Sequence, residues 1–386
     1  MKISFVVSCY TPGKDGVGDY VRRLVGALHE QGHRCQIIAV ADRYALTSDT
    51  SNIRTASDAP DIVRINWTDW CQNRLEPARA GIKAFAPDWV SLQMVCFGYA
   101  HRGLLFDAQR RLLGLVRGLV ARRHMMWHEA WAGAGVGSPL RHRVLGLLQR
   151  RLLARFQQRW AALATHTSNE GYRQLLATIG VDAKILPLFG GLPVVPVHRE
   201  LARNLLLDRL CLPCTGDSNR WIAGVFGSIP PEWEDVPALA SIGAQVAASG
   251  HQLVMVQLGR AGPAGELVWQ RVAEELTPQI TFLRIGETDE SSLSMYLSAL
   301  DFGISTTPWI VSGKSSTNAA LIERGVPVVV TRNDCQFRSI KAPECSPWLF
   351  RLDNSLVAQL GTAHLHPVPA VSVRHVALQL IRQLSL

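Results

Sequence analysis

No stretch of the 386-residue sequence stays apolar for the roughly 20 residues that a bilayer-spanning helix needs. The opening "MKISFVVSCYTPGKDG" reaches Pro-Gly after about eight apolar-type positions, short of a secretory h-region, so a cytoplasmic location is expected. Charge is scarce too: 18% of residues are charged against 47% hydrophobic, which excludes a disordered chain. Carboxylates are thinnest between Arg102 and Arg159, where many arginines meet only Asp107 and Glu129. With a net charge of +9, this spread fits nucleic acid, an anionic membrane, an anionic substrate or a solvated basic face. Cysteine spacing offers little chemistry. The eight thiols are scattered, "CLPC" (211–214) has no matching second pair, and Cys335 and Cys345 are a poor substitute. They read as small packed hydrophobes, and no metal site is expected.

What is present is a repeating strand–helix pattern. "KISFVVSCY" is a continuous apolar strand, "TPGKDGVGD" a turn, and Val17 through Leu28 recur at helical spacing up to Gly32. "RCQIIAVA" follows as a second strand, which makes a βαβ unit and a parallel sheet. Further strands fall at "DIVRINW", "DWVSLQMV", "HMMWHEA" and "ATHTS". Two arginine-rich helices, around 106–123 and 139–160, lie among them, the second opened by Ser138 as cap and Pro139 as first residue. After a Pro/Gly-rich stretch the alternation restarts at "RWIAGVFGSI" and runs to "PVVVTR". The expected architecture is α/β, with two Rossmann-like doubly wound domains: residues 1–195, a linker at 196–218, residues 219–364, and a C-terminal helix at 365–386 that packs back on the first domain.

Two places invite an anion. In "SGKSSTNAALIERGVPVVV" (312–330), Gly313, Lys314, Ser315, Ser316 and Thr317 open an expected helix after a strand, where unpaired N–H groups and the helix dipole favour a phosphate. This is no P-loop, because Pro308 stands where the first glycine belongs. A Ser cap beside a solvated lysine is the plain alternative. The second place is Gly16-x-Gly18, a turn short of the full dinucleotide fingerprint. One such turn per domain suggests a diphosphate between them.

"PGKDGVGDYVRRLVGALHEQGHRCQII" resembles the amino terminus of GT-B glycosyltransferases of the large bacterial group with sucrose synthase-like and mannosyltransferase members. "RIGETDESSLSMYLSALDFGISTTP" and "AALIERGVPVVVT" resemble the donor-binding half of that group, notably at Tyr296, Ala299, Asp301, Gly325 and Pro327. The resemblance implies two domains facing a central cleft and a nucleoside-diphosphate sugar as co-substrate, with no further cofactor. It implies donor contacts at Gly16, Gly18, Gly227, Ser228, Arg260, Ile285, Gly286 and Gly313–Thr317, a histidine near the sugar at His128, and an acceptor region at Gln93 and Tyr99. Transfer would leave negative charge on the departing phosphate, stabilised by Lys314 and helix amides without an Asp-x-Asp metal site. Retention follows by resemblance. An inverting route would draw its base from Asp19, Glu129 or His128.

The chain departs from the family pattern at four positions. Its Glu-x7-Glu pair falls on Ser312 and Ala320, and its donor-domain Arg and Lys fall on Ser228 and Trp233. Lys314 and Arg260 are the replacements available. The alternative is a sugar-nucleotide-binding protein without transferase activity. A GT-B epimerase would need the missing carboxylates, and a nucleic-acid role rests on charge alone. The expected acceptor is a glycan, a lipid-linked sugar or a small molecule, and the basic helices suit peripheral contact with the inner face of a membrane.

Overall fold

The structure, a computed structural model, describes residues 1–48, 61–213, 219–233 and 235–385. It divides into two compact units, residues 1–187 with 337–341 and 373–386, and residues 188–336 with 342–372. Cys214 of the "CLPC" motif lies outside the described residues. No helix among those residues is long and apolar enough to cross a membrane.

The first unit is a seven-stranded sheet built from β1 (Lys2–Val7), β2 (Arg34–Asp42), β3 (Asp61–Asn66), β4 (Trp89–Met94), β5 (Arg122–Trp127), β6 (Ala164–Thr167) and β7 (Lys184–Ile185). Its order is β3-β2-β1-β4-β5-β6-β7 and every pairing is parallel. Ile3 and Phe5 to Val7 are fully buried, as expected when helices cover both faces of a parallel sheet. The chain steps from β1 outward to β3 and then returns to β4 on the other side of β1. This leaves a crevice position at the carboxyl ends of β1 and β4.

The first helix, Gly16–Glu30, begins earlier than its glycine pair suggests. Asp15 is the cap, and its side chain accepts from the Val17 N–H. Gly16 and Gly18 are therefore helical residues rather than the turn before the helix. The C-terminal helix Val373–Leu384 belongs to this unit, and Gln31 Nε2 donates to the Arg374 carbonyl at 3.1 Å beside the first helix.

The arginine-rich helices also differ from their outline. The first is only Ala108–Leu115, and the chain has turned by Gly118, whose φ of 76° lies in the left-handed region. The second is Leu140–Trp160. Pro139 rather than Ser138 occupies its cap position, and no side chain caps it.

The second unit repeats the plan with β8 (Arg220–Phe226), β9 (Gln252–Leu258), β10 (Thr281–Gly286), β11 (Phe302–Ser305), β12 (Val328–Val330) and β13 (Leu349–Arg351). The order β10-β9-β8-β11-β12-β13 is again parallel, with its switch point between β8 and β11. Ala223, Val225, Met255, Phe302 and Val329 pack one face, and Ile222, Val254, Val256 and Val328 pack the other. Within the stretch read as a linker, Arg199–Arg209 is a helix with Ala202, Leu206 and Leu207 fully buried. Arg203 clamps it to Asp301 at 2.7 Å.

Candidate functional site

In an open parallel α/β sheet, ligands sit outside the carboxyl ends of the strands at the switch point. In the second unit that point is rimmed by glycine and hydroxyl groups. β8, β9 and β10 run out at Gly227, Gly259 and Gly286, with φ of 83°, 76° and 71°. The left-handed turn needs a residue without Cβ. At Gly227 space is tight as well, since a Cβ there would lie 3.0 Å from Thr317 Cγ2. Across the switch, Thr306 Oγ1 donates to the Ser228 carbonyl at 3.3 Å, tying the exits of β11 and β8 together.

The lysine segment folds in two pieces instead of one helix. Trp309–Lys314 is a 3-10 turn, and the α-helix is the short Ser316–Ile322. Ser315 is its cap, accepting from the Asn318 N–H at 3.2 Å, and its hydroxyl lies 2.8 Å from that of Thr317. Thus Gly227, Ser228, Ser315 and Thr317 are gathered at one place, and Lys314 ends the turn that leads to Ser315. Burial raises the Cys335 thiol and Asp334 adds to this, while Arg332 and Lys314 oppose it.

Arg332 was not foreseen. It follows the last apolar strand residues in "PVVVTR", and its position after β12 was the one available signal. Its guanidinium is mostly buried, donating to the Thr306 carbonyl at 3.1 Å and bidentate to Asp334 at 2.9 and 2.6 Å.

Three donor expectations are placed differently. Arg260 is bidentate to Glu287 at 2.7 and 2.9 Å, so its charge already has a counterion on the surface. The Ile285 side chain is buried in the core at the end of β10. In the first unit, Gly18 is where the helix presses on the β1 exit, since a Cβ there would stand 2.6 Å from the Cys9 carbonyl oxygen. Gly16 borders open space. The amides beside them are taken: Asp19 accepts from the Gly13 N–H through both oxygens at 3.1 Å, and Asp15 accepts from Val17 at 3.2 Å. Two carboxylates at this helix start oppose a phosphate by like charge.

The acceptor pair is corrected by burial. Tyr99 is 1% exposed, and its hydroxyl donates to the Gln93 carbonyl at 2.8 Å. Gln93 is equally buried and spends its whole amide inside the sheet. Its Nε2 donates to Ser91 Oγ at 2.8 Å, so Oε1 is the acceptor, and His128 Nε2 therefore carries the proton across their 2.8 Å bond. Ser91 then gives its proton to His124 Nδ1 at 2.7 Å, and His124 Nε2 donates to His166 Nδ1 at 2.8 Å. His166 Nε2 ends beside Gln383 without a bond of full geometry. One chain of aligned hydrogen bonds thus crosses β5, β4 and β6.

Burial pushes His128 down to about 3 and His166 down to about 4. It holds His124 well below the usual range, with His166 and His128 adding to the effect. All three are neutral at pH 7. A neutral, weakly basic His128 presents Nδ1 as an acceptor and is poorly suited to general-base work. Asp19 is engaged by Gly13 and by Arg22 at 3.1 Å. Glu129, half-buried, makes no hydrogen bond or ion pair among the described residues, and its charge is felt at the Cys96 thiol. Burial lifts Cys9, Cys35 and Cys96 to about 12, the inert packed thiols expected.

No protein-family profile matches the chain, and no curated protein matches it in sequence. Solved structures do match. HepE of Anabaena, in complex with UDP and glucose, aligns over 100% of this chain and 99% of its own, with a TM-score of 0.59 at 12% identity. The catalytic domain of starch synthase IV from Arabidopsis thaliana, bound to ADP and acarbose, aligns over 100% and 98%, with a TM-score of 0.56 at 13% identity. A putative UDP-N-acetylglucosamine 2-epimerase from Listeria monocytogenes aligns over 100% and 95%, with a TM-score of 0.53 at 11% identity. Two parallel sheets of seven and six strands in one chain, matched end to end by these proteins, give this protein the GT-B fold.

Proposed function

We propose that this protein is a glycosyltransferase that takes a sugar from a nucleoside-diphosphate donor. The observation that carries the reading is the gathering, at the β8/β11 switch point, of Gly227, Ser228, Ser315 and Thr317, with Lys314 next to Ser315 in the chain. Backbone free of Cβ, hydroxyl groups and a neighbouring lysine suit a diphosphate, while Arg332, like Arg260, already has a carboxylate counterion. Solved relatives of the same fold hold UDP or ADP.

In this reading the diphosphate lies against Gly227, Ser315 and Thr317. As the bond from the anomeric carbon to the phosphate oxygen breaks, the electron pair stays with the phosphate and Lys314 neutralises it. The sequence has no Asp-x-Asp pair, so the lysine does this without a catalytic metal. His128 takes part as a neutral hydrogen-bonding group near the sugar. Glu129 is the carboxylate left to steer an acceptor hydroxyl, and retention is the expected stereochemistry.

A second reading, binding without transfer, is favoured by one observation. Ser312 is 2% exposed and Ala320 is fully buried, so the two positions of the family glutamates are packed with small residues. Thermal-shift measurement against UDP, GDP and ADP and their hexose conjugates tests both readings. Stabilisation by one diphosphate together with slow donor hydrolysis supports transfer, and stabilisation with no turnover supports the second reading. Indifference to the whole panel removes both.

A further inference from the structure

The helix Leu140–Trp160 has two apolar faces, and the protein covers only one. Inward it buries Gly146, Leu152, Leu153, Phe156 and Trp160. It is fixed there by Gln149, which accepts from the Ala132 N–H at 2.7 Å and donates to the Arg102 carbonyl at 2.6 Å. Gly146 sits directly on the Ala132 carbonyl, with no room for a Cβ. The helix therefore cannot roll to hide its other side.

That other side carries Leu140, Val144, Leu147 and Leu148, which are 72, 59, 54 and 38% exposed. At 3.6 residues per turn, positions 140, 144 and 147 form one stripe and 148 borders it. Burying four such side chains in water-free surroundings is strongly favourable, and leaving them in water is what a surface helix normally avoids.

The surroundings of the stripe specify its occupant. Arg141 and Arg143 flank it, and Arg151, Arg155 and Arg159 continue along the exposed side. None of these five arginines is paired with a carboxylate among the described residues. From 108 to 169 the sequence holds eleven arginines and a single carboxylate, Glu129. An apolar strip bordered by cations suits an interface that is itself apolar beneath a layer of negative charge. A globular protein partner would have to supply an acidic rim around an apolar groove, whereas an anionic bilayer offers both along its whole plane.

We infer that the outward face of Leu140–Arg159 docks on an anionic lipid bilayer, with the leucines and Val144 entering the acyl boundary and the arginines meeting phosphate headgroups. The helix leaves the carboxyl end of β5 and runs back antiparallel to the strands, so its apolar half lies on the carboxyl-end side of the sheet. The β1/β4 switch point opens on that same side. Docking thus holds the carboxyl-end rim of the first unit at the lipid surface.

The test is sedimentation of the full chain with phosphatidylcholine vesicles, with and without about one-third phosphatidylglycerol. Binding to the anionic vesicles is expected, falling by about tenfold in Val144→Glu/Leu147→Glu and likewise in Arg151→Glu/Arg155→Glu, with melting temperature unchanged. Equal binding to neutral vesicles, no binding, or retention by both variants overturns the inference. So does a dimer in light scattering that Val144→Glu/Leu147→Glu dissolves, which would assign the stripe to a second copy of the chain. None of these residues belongs to the nucleotide site, so nucleotide-dependent thermal shifts report separately on the proposed function.

Discussion

His128 Nε2 lies 2.8 Å from Gln93 Oε1, and this bond sets which nitrogen of the imidazole carries the proton. Because Gln93 spends its amide on Ser91, its oxygen accepts, Nε2 is protonated, and Nδ1 is the lone pair left over. Gln93 thus acts through His128. Gln93→Leu should cost about 1–3 kcal/mol, because it leaves His128 Nε2 without its acceptor and Ser91 with one bond fewer. Gln93→Glu should instead draw a proton onto His128. Nitrogen-15 spectra of the imidazole would show the change, and an unaltered tautomer in both variants would mean that the bond does not set it.

The neutral histidines predict a pH dependence of stability. A histidine depressed from its ordinary value of about 6.5 stays neutral in the folded protein while the unfolded chain takes up the proton. The stabilisation is therefore complete above about pH 6.5 and is lost as the pH falls toward about 4 for His166 and about 3 for His128. Each contributes a slope of about 1.4 kcal/mol per pH unit inside its window. Urea midpoints should drop between pH 7.5 and 5, and His166→Phe should flatten the curve. A flat profile for the native sequence would refute buried neutral imidazoles.

At the switch point, Lys314→Ala should weaken diphosphate binding by about 1.5–3 kcal/mol, roughly ten- to a hundredfold. Arg260→Ala should change it by less than about threefold, since its guanidinium is held by exposed Glu287. Titration calorimetry separates the two, and a larger loss at Arg260 would move the anion away from Ser315 and Thr317.

The glycine pair of the first helix gives a contrasting result. Gly18→Ala drives a methyl to 2.6 Å from the Cys9 carbonyl oxygen and should destabilise by about 1–3 kcal/mol. Gly16→Ala enters open space inside a helix and should be neutral or stabilising by up to about 1 kcal/mol, with nucleotide binding intact. Loss of binding in Gly16→Ala at unchanged stability would restore the phosphate role expected of that turn.

The strands were legible because parallel sheets buried on both faces leave unbroken apolar runs such as "KISFVV" and "QLVMVQL". The same property hid the polar chain. Ser91, Gln93, His124 and His166 lie within strands, and nothing in their order along the sequence announces that β4, β5 and β6 set them side by side. The resemblance places an acceptor region at Gln93 and Tyr99, and only packing shows that each is consumed internally. Helix edges failed where local geometry overrode periodicity, at Gly118 and at the 3-10 turn that splits the lysine segment. Arg332 was missed because a single arginine after a strand has no spacing of its own.

Gly190 and Ala320 interlock in the second unit: a Cβ on the glycine would fall 2.7 Å from Ala320 Cα, and the Gly190 amide donates to Glu323 at 2.8 Å. This dovetail has no slot for a longer side chain on either partner. A glutamate grafted onto position 320 would pry the 188–192 strap off the helix, so placing a longer side chain there requires rebuilding the strap and the helix together.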